Sequence, residues 1–93
     1  MIRGFKDATA QSIFNRDRVR TMHPELQEAA RRKLVMLDAA ISLQVLGAVP
    51  GNRLEALGGD RKGQHSIRIN RQWRICFRWE EDGAHDVEIT DYH

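Results

Sequence analysis

With 93 residues, the chain has room for one hydrophobic core and little more, which predicts a single domain spanning residues 1–93. An apolar share of 41% is ordinary for a soluble globular protein, and no apolar run is long enough for a signal peptide or a membrane span. The formal net charge is a modest +2, and the one cysteine, Cys76, excludes an internal disulfide, which favours a reducing cytoplasm.

Met1 to Phe5, apolar at Ile2 and Phe5, reads as a short first strand. Asp7 is placed to cap a helix running to about Arg16 that buries Ile13 and Phe14. Arg16, Arg18 and Arg20 lie close together in the next loop, by default a solvated run and less readily a polyanion contact. His23 and Pro24 open the longest helix, because proline fits the first helical position, where its missing N–H costs nothing. Leu26, Ala30, Leu34, Leu37 and Ile41 form its apolar stripe at helical spacing. Helix signals fade from Ser42 to Val49, Pro50-Gly51-Asn52 makes a turn, and Arg53 to Leu57 is expected to be a strand.

Gly58 to Gly63 is a glycine-rich loop carrying Arg61 and Lys62. It lacks the Gly-x-x-x-x-Gly-Lys-Ser/Thr spacing of a Walker loop. A plain turn is one reading of it, and a phosphate clamp is the other. Gln64 to Trp79 then reads as two strands around a break at Asn70-Arg71-Gln72. Ile67, Ile69, Ile75, Phe77 and Trp79 alternate with polar residues, so Arg68, Arg74, Cys76 and Arg78 are expected on the opposite face. A turn at Glu80 to Gly83 leads to a last strand, His85 to Ile89, with Val87 and Ile89 inward.

Charge is strongly segregated along this half. Six basic residues and no acid fall between Arg61 and Arg78, and six acids with no lysine or arginine between Glu80 and Asp91. Cross-strand pairing is one explanation, and a basic patch for a polyanion is another. The element order predicts an α+β fold: two N-terminal helices packed on one face of a small, mostly antiparallel sheet of four to five strands. Nothing remains in the chain to cover the arginine face, which is therefore expected to stay open.

The four histidines show no ligand spacing and there is a single thiol, so no metal or other cofactor is expected. No serine sits in a nucleophile motif. His93 is the best candidate for acid–base work, because imidazole titrates near neutral pH.

Four stretches carry a resemblance. They are the Ile-Arg-Gly-Phe-Lys start, Arg53-Leu-Glu-Ala-Leu-Gly-Gly-Asp-Arg-Lys-Gly63, Ser66-Ile-Arg-Ile-Asn-Arg-Gln-Trp-Arg-Ile-Cys-Phe-Arg78, and the closing Asp91-Tyr92-His93. With them the whole chain resembles the HigB-type toxins of the RelE/ParE superfamily. The resemblance implies a RelE-like fold and a small endoribonuclease, without metal, that cleaves mRNA in the ribosomal A site and so stops translation. It implies as partner a HigA-type helix-turn-helix antitoxin, often encoded just downstream, which neutralises the toxin and itself contacts operator DNA. Carried over by position, Asp91, Tyr92 and His93 match the closing motif and Arg74 the hairpin arginine. The sequence departs at Glu55 and Gly58, where some members carry a histidine and a lysine. Arg61 and Lys62 are the neighbouring cations able to supply that charge.

RNA carries its own nucleophile, the 2′-OH, so cleavage without metal needs a base, cations on the charged phosphorane, and an acid for the departing 5′-oxygen. The base falls to His93 helped by Asp91, and transition-state charge to Arg74 and Arg68. Tyr92 is suited to stacking on a base. Arg78, Arg61 and Lys62 complete the expected phosphate contacts. Two other readings stand beside this one: a non-catalytic ParE-like toxin, and a nucleic-acid-binding module acting through its arginine face.

Overall fold

The structure, a computed structural model, describes residues 1–91. Asp7, extended at φ −124°, caps helix α1 (Ala8–Phe14) by accepting from the Ala10 N–H. Its second carboxylate oxygen accepts from the Ile89 N–H at 3.0 Å, so one side chain fixes the helix start to the last strand. The helix stops short of its expected end, and Arg16 takes a left-handed φ of 67°.

Helix α2 (Pro24–Ala39) starts as expected, with Pro24 in its first turn and the His23 ring accepting from the Glu25 N–H at 3.2 Å. Ala30, Leu34 and Leu37 are fully buried. The stripe does not extend to Ile41, which is 88% exposed. The helix ends at Ala39 and Ala40 turns extended (ψ 134°), so Ile41 leaves the helical phase. A third helix, α3 (Leu43–Ala48), occupies the segment where helix signals fade in the sequence. The Ser42 hydroxyl caps it by accepting from the Val45 N–H at 3.2 Å, and Leu46 anchors it in the core.

Strands β1 (Glu55–Ala56), β2 (His65–Arg68), β3 (Trp73–Glu80) and β4 (Gly83–Asp91) form a sheet in that order, each antiparallel to its neighbour. The N-terminal segment joins the outer edge of β4 as two parallel bridges, Ile2 to Ala84 and Phe5 to Val87, rather than as a continuous strand. A bulge between Cys76 and Arg78 shifts the β3–β4 register, and Asp86 absorbs the extra residue at φ 52°. That shift keeps both Ala84 and Val87 turned to the core, although they are three apart. Ile67, Ile75, Phe77 and Val87 are fully buried on the helix side, each worth about 1.5–3 kcal/mol in apolar burial.

The opposite face is not open as the alternation pattern suggests. Ser66 and Cys76 are fully buried there and Arg74 is 8% exposed. Glu55, Ser66, Cys76 and Glu88 form one cross-strand row. Arg61, from the β1–β2 loop, reaches across the sheet to pair with Glu88 at its end. The β1–β2 loop that carries Arg61 thus comes over a face for which no further element remained to serve as cover. Cys76 beneath it is placed as a small packing residue.

Candidate functional site at the hairpin end

The β2–β3 turn is built by Asn70. Its side-chain oxygen accepts from the Gln72 and Trp73 N–H groups, both at 2.9 Å, the local bonding that suits asparagine to turns. This holds the hairpin end against the end of β4, where Trp73 is the register partner of Asp91. Gln72 donates from Nε2 to Asp91 Oδ2 at 2.9 Å. One residue further along, Arg74 is flanked by Arg68 on β2 and Thr90 on β4.

Arg74 is held as a buried fork. Its Nε donates to Ser66 Oγ at 2.7 Å, and its Nη2 donates to the Arg53 carbonyl at 2.6 Å. The Glu55 carboxylate stands 3.9 Å from Nη2, itself half exposed. Arg53 presents that carbonyl from a left-handed backbone, φ 45°. Arg68 is half-buried and donates from Nε to the Asn70 carbonyl at 2.9 Å. Arg68 and Arg74 are cross-strand partners whose guanidinium groups lean apart, one toward Asn70 and the other toward Ser66 and Arg53, so this face of the sheet end carries two cations of the sign that suits a phosphate.

The remaining expected phosphate ligands lie apart from this pair. Arg78 sits four residues along β3 from Arg74, about 13 Å at strand spacing. There it pairs with Glu80 at 2.6 Å and with Asp86 at 3.3 Å. Arg61 pairs with Glu88 and also donates to Gln64 Oε1 at 3.1 Å, while Lys6 approaches the same Glu88 carboxylate at 3.8 Å. Lys62, next to Arg61, is exposed. The structure thus pairs Arg68 with Arg74 on one face of the hairpin end, places Asp91 at the same end but by alternation on the other face, beside Trp73, and ties Arg61 and Arg78 into carboxylate pairs. For those two arginines, pairing with carboxylates of β3 and β4 is the better account of the charge segregation. Tyr92 and His93, also expected in the site, lie outside the described residues.

Sequence reasoning missed Ser66, Gln72 and Asn52. Ser66 shares the face of Arg68 and Arg74 by simple alternation, and that parity was the available signal. Asn52 is fully buried, donates to the Leu46 carbonyl at 3.0 Å, accepts from Lys33 Nζ, and offers its carbonyl to the Arg68 N–H at 2.7 Å. It therefore links α2 and α3 to the strand that carries Arg68. Among the described residues, no helix is long and apolar enough to cross a membrane, and no cluster of three or more His, Cys, Asp or Glu is placed to hold a metal.

A toxin from Vibrio cholerae serotype O1, "Toxin HigB-1", is 41% identical over 81 residues, covering 86% of this chain and 85% of its own length. The "Endoribonuclease HigB" of Proteus vulgaris is 27% identical over all 93 residues, the full length of both proteins. An uncharacterised Haemophilus influenzae protein is 28% identical over 67 residues, 72% of this chain and 66% of its own. Residues 3–93 match the family described as the RelE-like toxin of the type II toxin–antitoxin system HigB. Matched from residue 3 to residue 93, the chain belongs to this family of HigB-like toxins.

Proposed function

We propose that this toxin is an endoribonuclease that cuts mRNA on the ribosome, with residues 1–93 acting as one toxin domain. The observation that carries the reading is the full-length alignment with a relative named as an endoribonuclease. The cross-strand pair Arg68 and Arg74 supplies the charge that the chemistry needs. In this reading the A site of the ribosome presents the mRNA, and the toxin acts in the cytoplasm. A HigA-type helix-turn-helix antitoxin neutralises the toxin and carries it to operator DNA.

His93 takes the 2′-OH proton, helped by Asp91, whose carboxylate Gln72 orients. The attacking oxygen forms the bond to phosphorus as the bond to the 5′-oxygen breaks, and a protonated group returns a proton to the leaving oxygen. Arg68 and Arg74 stabilise the negative charge that grows on the phosphoryl oxygens. Arg74 acts from a buried, pre-positioned fork rather than from an exposed arm, so it pays little reorganisation as charge develops. Tyr92 stacks on a neighbouring base.

Primer extension on a translated mRNA tests the assignment. Wild-type toxin should produce discrete cuts, and His93→Gln should lower their rate by ~10²–10⁴, the usual worth of general acid–base catalysis. Cuts undiminished in His93→Gln would remove His93 from the mechanism. Translation arrest with no cuts by the wild type would favour a non-catalytic, ParE-like toxin.

A further inference from the structure

A groove of about 410 Å³ runs between the end of α1 and the flank of α2, away from the hairpin end. Ile13 and Pro24 form its apolar floor, and Arg16, Arg18 and Arg31 stand around it with Asp17 and Glu28. Most cations on the sheet are tied to carboxylates, as with Arg61 to Glu88 and Arg78 to Asp86. Those of the groove are not: among the described residues Arg16, Arg18 and Arg31 form no ion pair. The Nε of Arg31 is buried and finds no acceptor among the described residues. Val35 lies one helical turn beyond Arg31, on the same side of α2, and is 42% exposed. It extends the groove with an apolar shelf.

We propose that this groove is the docking surface for the antitoxin, taking an amphipathic segment with an apolar residue against Ile13 and Val35 and a carboxylate between Arg18 and Arg31. The proposal rests on the family's toxin–antitoxin pairing and not on the endoribonuclease reading. Charge complementarity sets the sign of the occupant, because three unpaired guanidinium groups next to a buried, unsatisfied N–H call for an acceptor with negative charge. The chemistry of the lining selects a peptide over a nucleic acid. Asp17 and Glu28 in the same wall offset two of the three arginines, so the groove suits a single carboxylate better than the repeated charge of a phosphate backbone. An apolar floor with an apolar extension matches side chains, as in recognition of an amphipathic segment by a groove. A segment lodged there would also leave the hairpin end uncovered.

The test uses full-length toxin and the antitoxin encoded with it. Binding is titrated for wild type, for Arg18→Glu combined with Arg31→Glu, and for Val35→Asp. Single-stranded RNA and ribosome binding are measured in parallel. The double reversal should weaken antitoxin binding by about a hundredfold and Val35→Asp by about tenfold, with RNA and ribosome binding unchanged. Amide exchange in the wild-type complex should show new protection over residues 13–18 and 24–35. Antitoxin affinity unchanged in both variants overturns the proposal. So does a double reversal that spares the antitoxin and loses ribosomes or RNA, which would make the groove a nucleic-acid surface. If the double reversal fails to fold, Val35→Asp and the exchange pattern decide. A wild type that cuts no mRNA, but whose antitoxin binding falls as expected on charge reversal, would sink the endoribonuclease reading and leave the docking surface standing.

Discussion

Arg74 Nε lies 2.7 Å from Ser66 Oγ, and both side chains are buried on the sheet face that carries the candidate site. In the proposed mechanism, the charge that meets the phosphate and the bond that holds the sheet belong to the same side chain. Arg74→Ala should cost stability as well as activity, since it strands the Ser66 hydroxyl and the Arg53 carbonyl together. The loss should be about 2–4 kcal/mol by denaturant unfolding. Ser66→Ala keeps the guanidinium but loosens its aim, so it should cost about 1 kcal/mol in stability and lower mRNA cleavage. An Arg74→Ala protein that unfolds like wild type would show that the fork does not support the sheet.

Gly58 has φ −120°, and a side chain added there would meet nothing within 4 Å. Gly58→Lys should therefore fold normally and add a cation beside Arg61 and Lys62. The slope of log RNA affinity against log salt should steepen by about 0.7 for the new contact and shrink by about 0.7 in Lys62→Ala. Arg61→Ala should act differently, because Arg61 is engaged by Glu88. Its main effect should be a stability loss on the order of 1 kcal/mol. Unchanged slopes in both lysine variants would reduce the loop to a turn.

Desolvation, with Arg32 beside it, holds the Lys33 ammonium below its ordinary value of 10.5. The folded chain therefore gives up this proton at a lower pH than the unfolded chain does. Between the two values the unfolded state binds more protons, so stability rises as pH climbs toward 10.5 and the burial penalty is fully present below the folded value. Urea unfolding of wild type and Lys33→Met between pH 8 and 10.5 should show a rise in the wild type that the variant lacks. Parallel curves would mean that Lys33 titrates alike in both states.

Gly83 has φ 128°, and a Cβ built there would fall 2.0 Å from the Met1 carbonyl oxygen. The Met1 and Ala84 backbones meet at this point through a 3.0 Å bond. Gly83→Ala should push the N-terminal segment off β4 and destabilise by about 2 kcal/mol or more, since strain and lost pairing add. Amide exchange at Arg3 and Lys6, which donate to β4 carbonyls, should accelerate first. Protection there equal to wild type would show that the backbone shifts without breaking the edge.

Much of the fold was legible from residue pattern. Asp7 and Pro24 announce helix starts because capping and proline stereochemistry are local. The Ile67, Ile75 and Phe77 core follows from period-two alternation. What escaped was decided over distance. Alternation assigns Arg74 to a face but not to burial, which depends on Arg53, Ser66 and a loop arginine arriving from elsewhere. Asn52 looks like a turn residue in sequence and becomes a hub only when α2, α3 and β2 converge on it. α3 was too short for a periodic signal and is visible mainly through its Ser42 cap.

The N-terminal segment has a consequence for how anything can grip this protein. By bonding Arg3 and Lys6 to the Ala84 and Val87 carbonyls, it occupies the hydrogen-bonding rim of β4 that a foreign strand would otherwise use. The rim at the other end of the sheet belongs to β1, which is only two residues long. A chain that neutralised the toxin by extending its sheet would find one border taken and the other too short to hold it. Recognition is thereby confined to the faces and grooves, where side-chain chemistry decides the partner and backbone pairing, which accepts almost any sequence, does not.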